Sequence, residues 1–317
     1  MLAGAAVWAL IAGWPQNRAQ SQQNDQANGQ RNGEPNSQQE IQQNSQQKDP
    51  SQSKPQVQGL AFWEPKPETE KALLGAGGEK GPARYEALRR AFVEAGCTGQ
   101  HLREETVAEH KEKNLFCVLP GGNAGTILVV ARYDQRAFEE GGGQWGDAVA
   151  LPLLYRALEA TPRRHSFEFA EIGGKDGEKE FDDSQKEAGT EEPAVEVVIG
   201  GMGLGYPVCS AIRPSSLKEL PPTPAEDLCR LAHGVAVAMR LVDPTEADDN
   251  NNLSIRWLYQ GSALREGLFA HSPVKTKVVL WSEFDPERGK DWYGKDFDFA
   301  AWFLCWADRE YQGTGFR

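Results

Sequence analysis

The most constraining feature of this sequence is a short apolar run that stops abruptly at three polar residues. Residues 126–131 read Thr-Ile-Leu-Val-Val-Ala, and Arg132, Tyr133 and Asp134 follow directly. An apolar, β-branched run of this length predicts a strand buried on both faces, in the middle of an α/β sheet. Polar residues just past the carboxyl end of such a strand lie where open α/β sheets place their binding crevice. Any functional site is therefore expected beside Arg132 and Asp134.

The first 58 residues differ sharply in composition from the rest of the chain. Residues 2–14 are apolar, which is too short to span a bilayer of ~30 Å but suits an export signal or a membrane anchor. Residues 16–58 are almost wholly Gln, Asn, Ser, Lys and Asp, with scattered Pro, and cannot bury enough apolar surface to offset chain entropy. We predict a signal or anchor over 1–15, a disordered linker over 16–58 and a folded domain over 59–317. The linker composition is also compatible with an assembly segment.

Within the folded part, strand patterns alternate with helix patterns, which is typical of an α/β protein. We predict a three-layer sandwich with a mixed, mostly parallel central sheet. Thr223-Pro-Ala-Glu226 has the residues of a capping box at a helix start. Pro152 is expected only in the first turn of its helix. The predicted helices cover 84–95, 147–160, 223–241 and 297–311, and the predicted strands cover 114–119, 126–131, 165–172, 194–199, 253–259 and 277–281.

Charge and cysteine content narrow the classes of function. The formal net charge is -12, which argues against a nucleic-acid surface because phosphate binding needs an excess of Lys and Arg. The five cysteines are scattered without a Cys-x-x-Cys pair, so we predict buried free thiols. One disulfide with the remaining thiols free is the alternative. Its pairing cannot be deduced from the sequence.

The common sequence-local sites are missing from the chain. The glycine run over 200–205 has no Gly-x-Gly-x-x-Gly spacing, and Pro207 stands where a helix should begin, so a tight turn is predicted. No Gly-x-Ser-x-Gly elbow is present, which excludes the usual α/β-hydrolase nucleophile. The five histidines form no His-x-x-x-His pair, so no sequence-local zinc site exists.

Three consecutive segments carry a resemblance to a known family: residues 114–121, the run 126–134 and the stretch 151–167. In this order they resemble the zinc aminopeptidases of metallopeptidase family twenty-eight, a group that includes bacterial leucyl aminopeptidases and glutaminyl cyclase. The resemblance covers most of residues 84–311. It implies a zinc-aminopeptidase-like sandwich whose relatives bind two zinc ions through five side chains.

Two of the five ligand positions that the resemblance implies fall near the central strand. Arg132 stands where the family has the ligand histidine of a His-x-Asp motif, while Asp134 keeps the supporting carboxylate. Gly143 stands where the family has a bridging aspartate ahead of a Trp-Ser-Gly-like turn.

The other three positions follow the later strands. The family's Glu-Glu pair, which supplies the catalytic base and then a ligand, matches Lys175 and Asp176. The aspartate at the next strand end matches Gly200 or Gly201, and residues 281–296 contain no histidine for the last ligand position. Of the five implied ligands, Asp176 alone survives.

The resemblance therefore implies a fold without the family's chemistry. We expect no catalytic residue, no metal and no cofactor, and a pseudo-peptidase at the cell envelope that binds a protein or peptide or acts as a scaffold. Membrane contact would come through the N-terminal segment alone. An ion-pair cluster of Arg132, Asp134, Lys175 and Asp176, with Arg132 as its hub, is predicted in place of the metals.

Two other classes stay open. One is an active metal-dependent exopeptidase with substituted ligands, for instance Asp134, Asp176 and His271. The other is an interaction module that acts through the Gln/Asn-rich linker.

Overall fold

The computed structural model describes much of the chain beyond residue 65. The described residues are 66–75, 81–107, 113–122, 124–133, 143–173, 177, 180, 181, 183, 193–203, 205–213, 223–241, 255–259, 274, 276–284 and 292–311. The predicted anchor and linker lie outside these residues, so the proposed segment boundaries stay predictions. None of the helices within these ranges is long and apolar enough to cross a membrane.

Eight described strands form one sheet in the order β1-β2-β4-β3-β5-β8-β6-β7. The pairs β4-β3, β3-β5, β5-β8 and β6-β7 are parallel, and the other three are antiparallel. The predicted mixed, mostly parallel sheet is thereby confirmed. The strands are β1 (Leu102–Thr106), β2 (Lys113–Leu119), β3 (Thr126–Arg132), β4 (Ser166–Ile172), β5 (Val195–Gly200), β6 (Gly205–Arg213), β7 (Ile255–Tyr259) and β8 (Lys277–Phe284).

Helices cover one face of this sheet. The core on that face combines apolar side chains of the central strands with those of α2 to α5, and α1 packs against its rim through Leu73 and Leu74. A smaller apolar cluster on the second face includes Phe181, which stacks on Phe116 of β2. The α/β class is confirmed. The helices are α1 (Pro67–Gly75), α2 (Pro82–Glu94), α3 (Gly143–Glu159), α4 (Pro224–Ala238) and α5 (Trp292–Glu310).

Of the two predictions about helix residues, the capping box at Thr223 is confirmed and the placement of Pro152 is wrong. The capping box is present at α4, where the Thr223 hydroxyl accepts from the Glu226 amide and the Glu226 carboxylate accepts from the Thr223 amide. The restriction on Pro152 is wrong, because this proline lies in the middle of α3. An interior proline costs about 3 kcal/mol, and full burial of a leucine contributes about 2 kcal/mol. Leu151 and Leu154 are both fully buried, so packing offsets that cost.

The cysteine prediction is wrong for four of the five residues. Disulfides join Cys97 to Cys117 and Cys209 to Cys229, with Cα separations of 6.2 and 5.2 Å. Cys305 alone is free, and it is buried. The first disulfide ties the end of α2 to β2, and the second ties β6 to α4. Tertiary contact brings each pair within bonding distance, which sequence spacing does not reveal.

Candidate functional site

The candidate site lies at the carboxyl edge of the four central strands. Because β4, β3, β5 and β8 run parallel in adjacent pairs, their carboxyl ends meet at this edge. The helices α3 and α5 both begin here, so their positive dipole ends and first-turn side chains face the same region. We call this region the carboxyl edge.

The glycine run after β5 forms a turn that two carboxylates hold. The Met202 amide donates to Asp147 of α3 over 2.7 Å, and the Gly203 amide donates to Asp296 of α5 over 2.7 Å. Gly201 and Gly203 have φ angles of +65° and +84°, which favour glycine. The predicted tight turn is confirmed. Its Met202 and Gly203 amides are already occupied by the chain's own carboxylates.

Burial changes the protonation of these carboxylates. Removal from water raises the pKa of Asp147 to about 8, against the lowering effect of backbone amides and with a further increase from Asp296. Burial likewise raises the pKa of Asp296 to about 7, against the lowering effect of its hydrogen bonds from Ser282 and Gly203. Asp147 is therefore mainly protonated at neutral pH.

Glu171 is the most unusual group at this edge. Its side chain is fully buried near the end of β4, and neither carboxyl oxygen has a hydrogen-bond partner among the described residues. Burial, with a contribution from Asp147, raises its pKa well above the usual range and so favours the protonated form. Tyr293 of α5 is also buried in this region, and its hydroxyl donates to the Gly146 carbonyl over 2.9 Å. Burial raises the pKa of Tyr293, and the nearby carboxyl groups of Asp147 and Glu171 raise it further.

The structure places Arg132 on the other face of the sheet from Glu171. Arg132 is paired in register with Ile172, which belongs to the second-face cluster, whereas Glu171 is paired with Ala131 of the main core. Side chains alternate along a strand, so Arg132 and Glu171 project to opposite faces. Arg132 is 4% exposed. Its predicted role as the hub of an ion-pair cluster is not tested, because its predicted partners lie outside the described residues.

Of the other residues predicted for the site, some are described by the structure and some are not. Gly143 begins α3 and Gly200 ends β5, so both lie at the carboxyl edge. The structure does not describe Asp134, Lys175, Asp176 and His271. Their convergence in one pocket stays a prediction.

Gly173 and Gly177, the described residues on either side of 174–176, share one hydrogen-bond partner. Buried Asn114 of β2 accepts from the Gly173 amide over 3.0 Å and donates to the Gly177 carbonyl over 2.8 Å. A Cβ atom on Gly173 would lie 2.7 Å from the Tyr133 hydroxyl, so glycine is required for this close approach. Asn114 thus links Gly173 to Gly177, and Gly173 lies close to Tyr133 at the end of the central strand.

The described part of the edge does not fit a zinc ion. Zinc needs three or four N, O or S donors, and the described ranges contain no group of three His, Cys, Asp or Glu side chains that could hold a metal ion. Asp147 and Asp296 direct oxygens at backbone amides of the glycine turn instead. At the implied ligand positions, a cation stands at Arg132 and glycines stand at Gly143 and Gly200.

Comparison with known proteins supports the fold. No family model matches the chain, and no curated protein matches it. A leucine aminopeptidase precursor from Bacteroides thetaiotaomicron matches in structure with a TM-score of 0.51 and 9% identity, over 77% of this chain and 97% of that one. The chain has the zinc-exopeptidase fold. The predicted resemblance is confirmed at this level.

Two further solved structures match with TM-scores below 0.5. An Acidobacteriales bacterium glutaminyl cyclase has a TM-score of 0.47 and 12% identity, over 82% of this chain and 98% of that one. A Zn-dependent exopeptidase from Parabacteroides distasonis has a TM-score of 0.49 and 10% identity, over 77% and 98%. At such low identity, structural likeness establishes the fold and leaves the activity of this chain open.

Sequence reasoning missed four residues of the carboxyl edge: Asp147, Glu171, Tyr293 and Asp296. A signal was available for Glu171, since it follows Phe167 and Phe169 at the inward positions of a strand. Asp147 likewise interrupts the apolar start of a helix. A carboxylate at an apolar position predicts a buried acid, but its partners depend on which elements meet there.

A different buried acid lies at the opposite edge. Asp308 near the end of α5 accepts from the backbone amides of Arg164 and His165 and from the His165 ring. Burial alone would raise the pKa of Asp308, but the hydrogen bonds from His165 and Arg164 lower it below the usual range. Because His165 immediately precedes β4, this pair fastens α5 to the amino edge of the sheet.

Proposed function

We propose that this chain is a pseudo-peptidase, a domain with the zinc-exopeptidase fold that binds a protein or peptide, or serves as a scaffold, without catalysis. One observation carries the proposal. The described acids at the carboxyl edge hold a backbone turn or are fully buried, and they do not form a donor group for zinc. In this proposal the fold persists, and the described acids of the carboxyl edge serve structural roles.

Acid–base arguments support this proposal. Metal binding requires deprotonated ligands, whereas burial raises the pKa of Asp147 to about 8 and shifts that of Glu171 in the same direction. A general base must be unprotonated near neutral pH, and Lys175 at the family's base position is protonated unless it is strongly desolvated. The neutral acids also remove the repulsion that several buried carboxylates would otherwise create.

We extend the proposal to the undescribed half of the edge. Asp134 and Asp176 would pair with Arg132 and Lys175, which neutralises two further carboxylates without metal. The planar guanidinium of Arg132 can donate to more than one carboxylate at once. No cofactor is required in this arrangement.

The cell envelope is the proposed location. Disulfides form and persist in oxidising compartments, and this chain has two of them. The apolar segment over 1–15 would act as an export signal or anchor, and the linker over 16–58 would separate it from the domain. The net charge of -12 favours a protein or peptide partner over nucleic acid.

A zinc measurement on the purified full chain tests the proposal. The protein is incubated with zinc, dialysed and analysed for bound metal, and then assayed with aminoacyl and N-terminal glutaminyl reporters. We expect neither stoichiometric zinc nor turnover. Stoichiometric zinc that disappears in Asp176→Ala, together with reporter cleavage, would establish the alternative of an active exopeptidase with substituted ligands. Asp183→Ala, which changes an exposed aspartate, is the matched control.

A further inference from the structure

We draw no further inference here: the strongest candidate, the cluster of buried acids Asp147, Glu171 and Asp296 around Tyr293, belongs to the carboxyl edge already described, and no contact among the described residues shows what would bind the unpartnered carboxyl oxygens of Glu171.

Discussion

Replacing Asp147 by asparagine should stabilise the protein, and increasingly so as the pH rises. The pKa of Asp147 is about 8 in the folded chain and about 3.9 for an aspartate in an unfolded chain. Between these values the folded state holds a proton that the unfolded state has lost, so wild-type stability falls as pH rises. Asparagine has no proton to bind, and its amide oxygen can accept the Met202 hydrogen bond as a neutral carboxyl does.

The expected size follows from linkage. The stability of Asp147→Asn relative to wild type should increase by ~1.4 kcal/mol for each pH unit between about 4 and 8, or at most ~6 kcal/mol over the range. Urea unfolding of both proteins at several pH values measures this difference in the free energy of unfolding. Groups that titrate in the same way in both proteins contribute equally to the two values and cancel from the difference. Real values will be smaller where Glu171 and Asp296 titrate together with Asp147.

Asp308→Asn is a control for which we expect the opposite pH dependence of stability relative to wild type. The pKa of Asp308 is lowered in the folded chain, so its contribution to stability is present above about pH 4 and is lost as pH falls through the folded value. The loss of unfolding free energy in Asp308→Asn, relative to wild type, should therefore be largest at neutral pH. A pH-independent effect of Asp147→Asn would refute the raised pKa. A variant that becomes less stable with rising pH would show that Asp147 is ionised and paired with a cation.

Three further predictions concern other parts of the chain. Arg132→Ala and Asp134→Ala should each destabilise by about 3–5 kcal/mol and be strongly non-additive in denaturant melts, whereas small additive effects would refute the ion-pair cluster. The double variant Cys97→Ala/Cys117→Ala should lose roughly 3 kcal/mol in the same melts, because a 20-residue loop is no longer closed in the unfolded state. Limited proteolysis should cut within 16–58 and leave one resistant core, and protection of that segment would contradict the domain boundary.

Local patterns predicted the elements of the fold well. The β3 prediction from its apolar run is confirmed as Thr126–Arg132, and the α4 start at Thr223 is confirmed with its capping box. Both signals are local, since burial of a strand and capping of a helix leave their pattern in adjacent residues. β1 and β6 were not predicted, because β1 is a charged edge strand and Pro207 interrupts β6.

The sequence by itself determined the α/β class and the resemblance to the zinc exopeptidases, and it predicts the loss of metal donors at positions such as Arg132 and Gly143. Tertiary structure alone decided which cysteines pair, which carboxylates hold the glycine turn, and which face Arg132 occupies relative to Glu171. The reason is physical: a periodic pattern encodes the environment of a single element. A disulfide or a raised pKa instead depends on groups that are distant in the chain and meet only after folding.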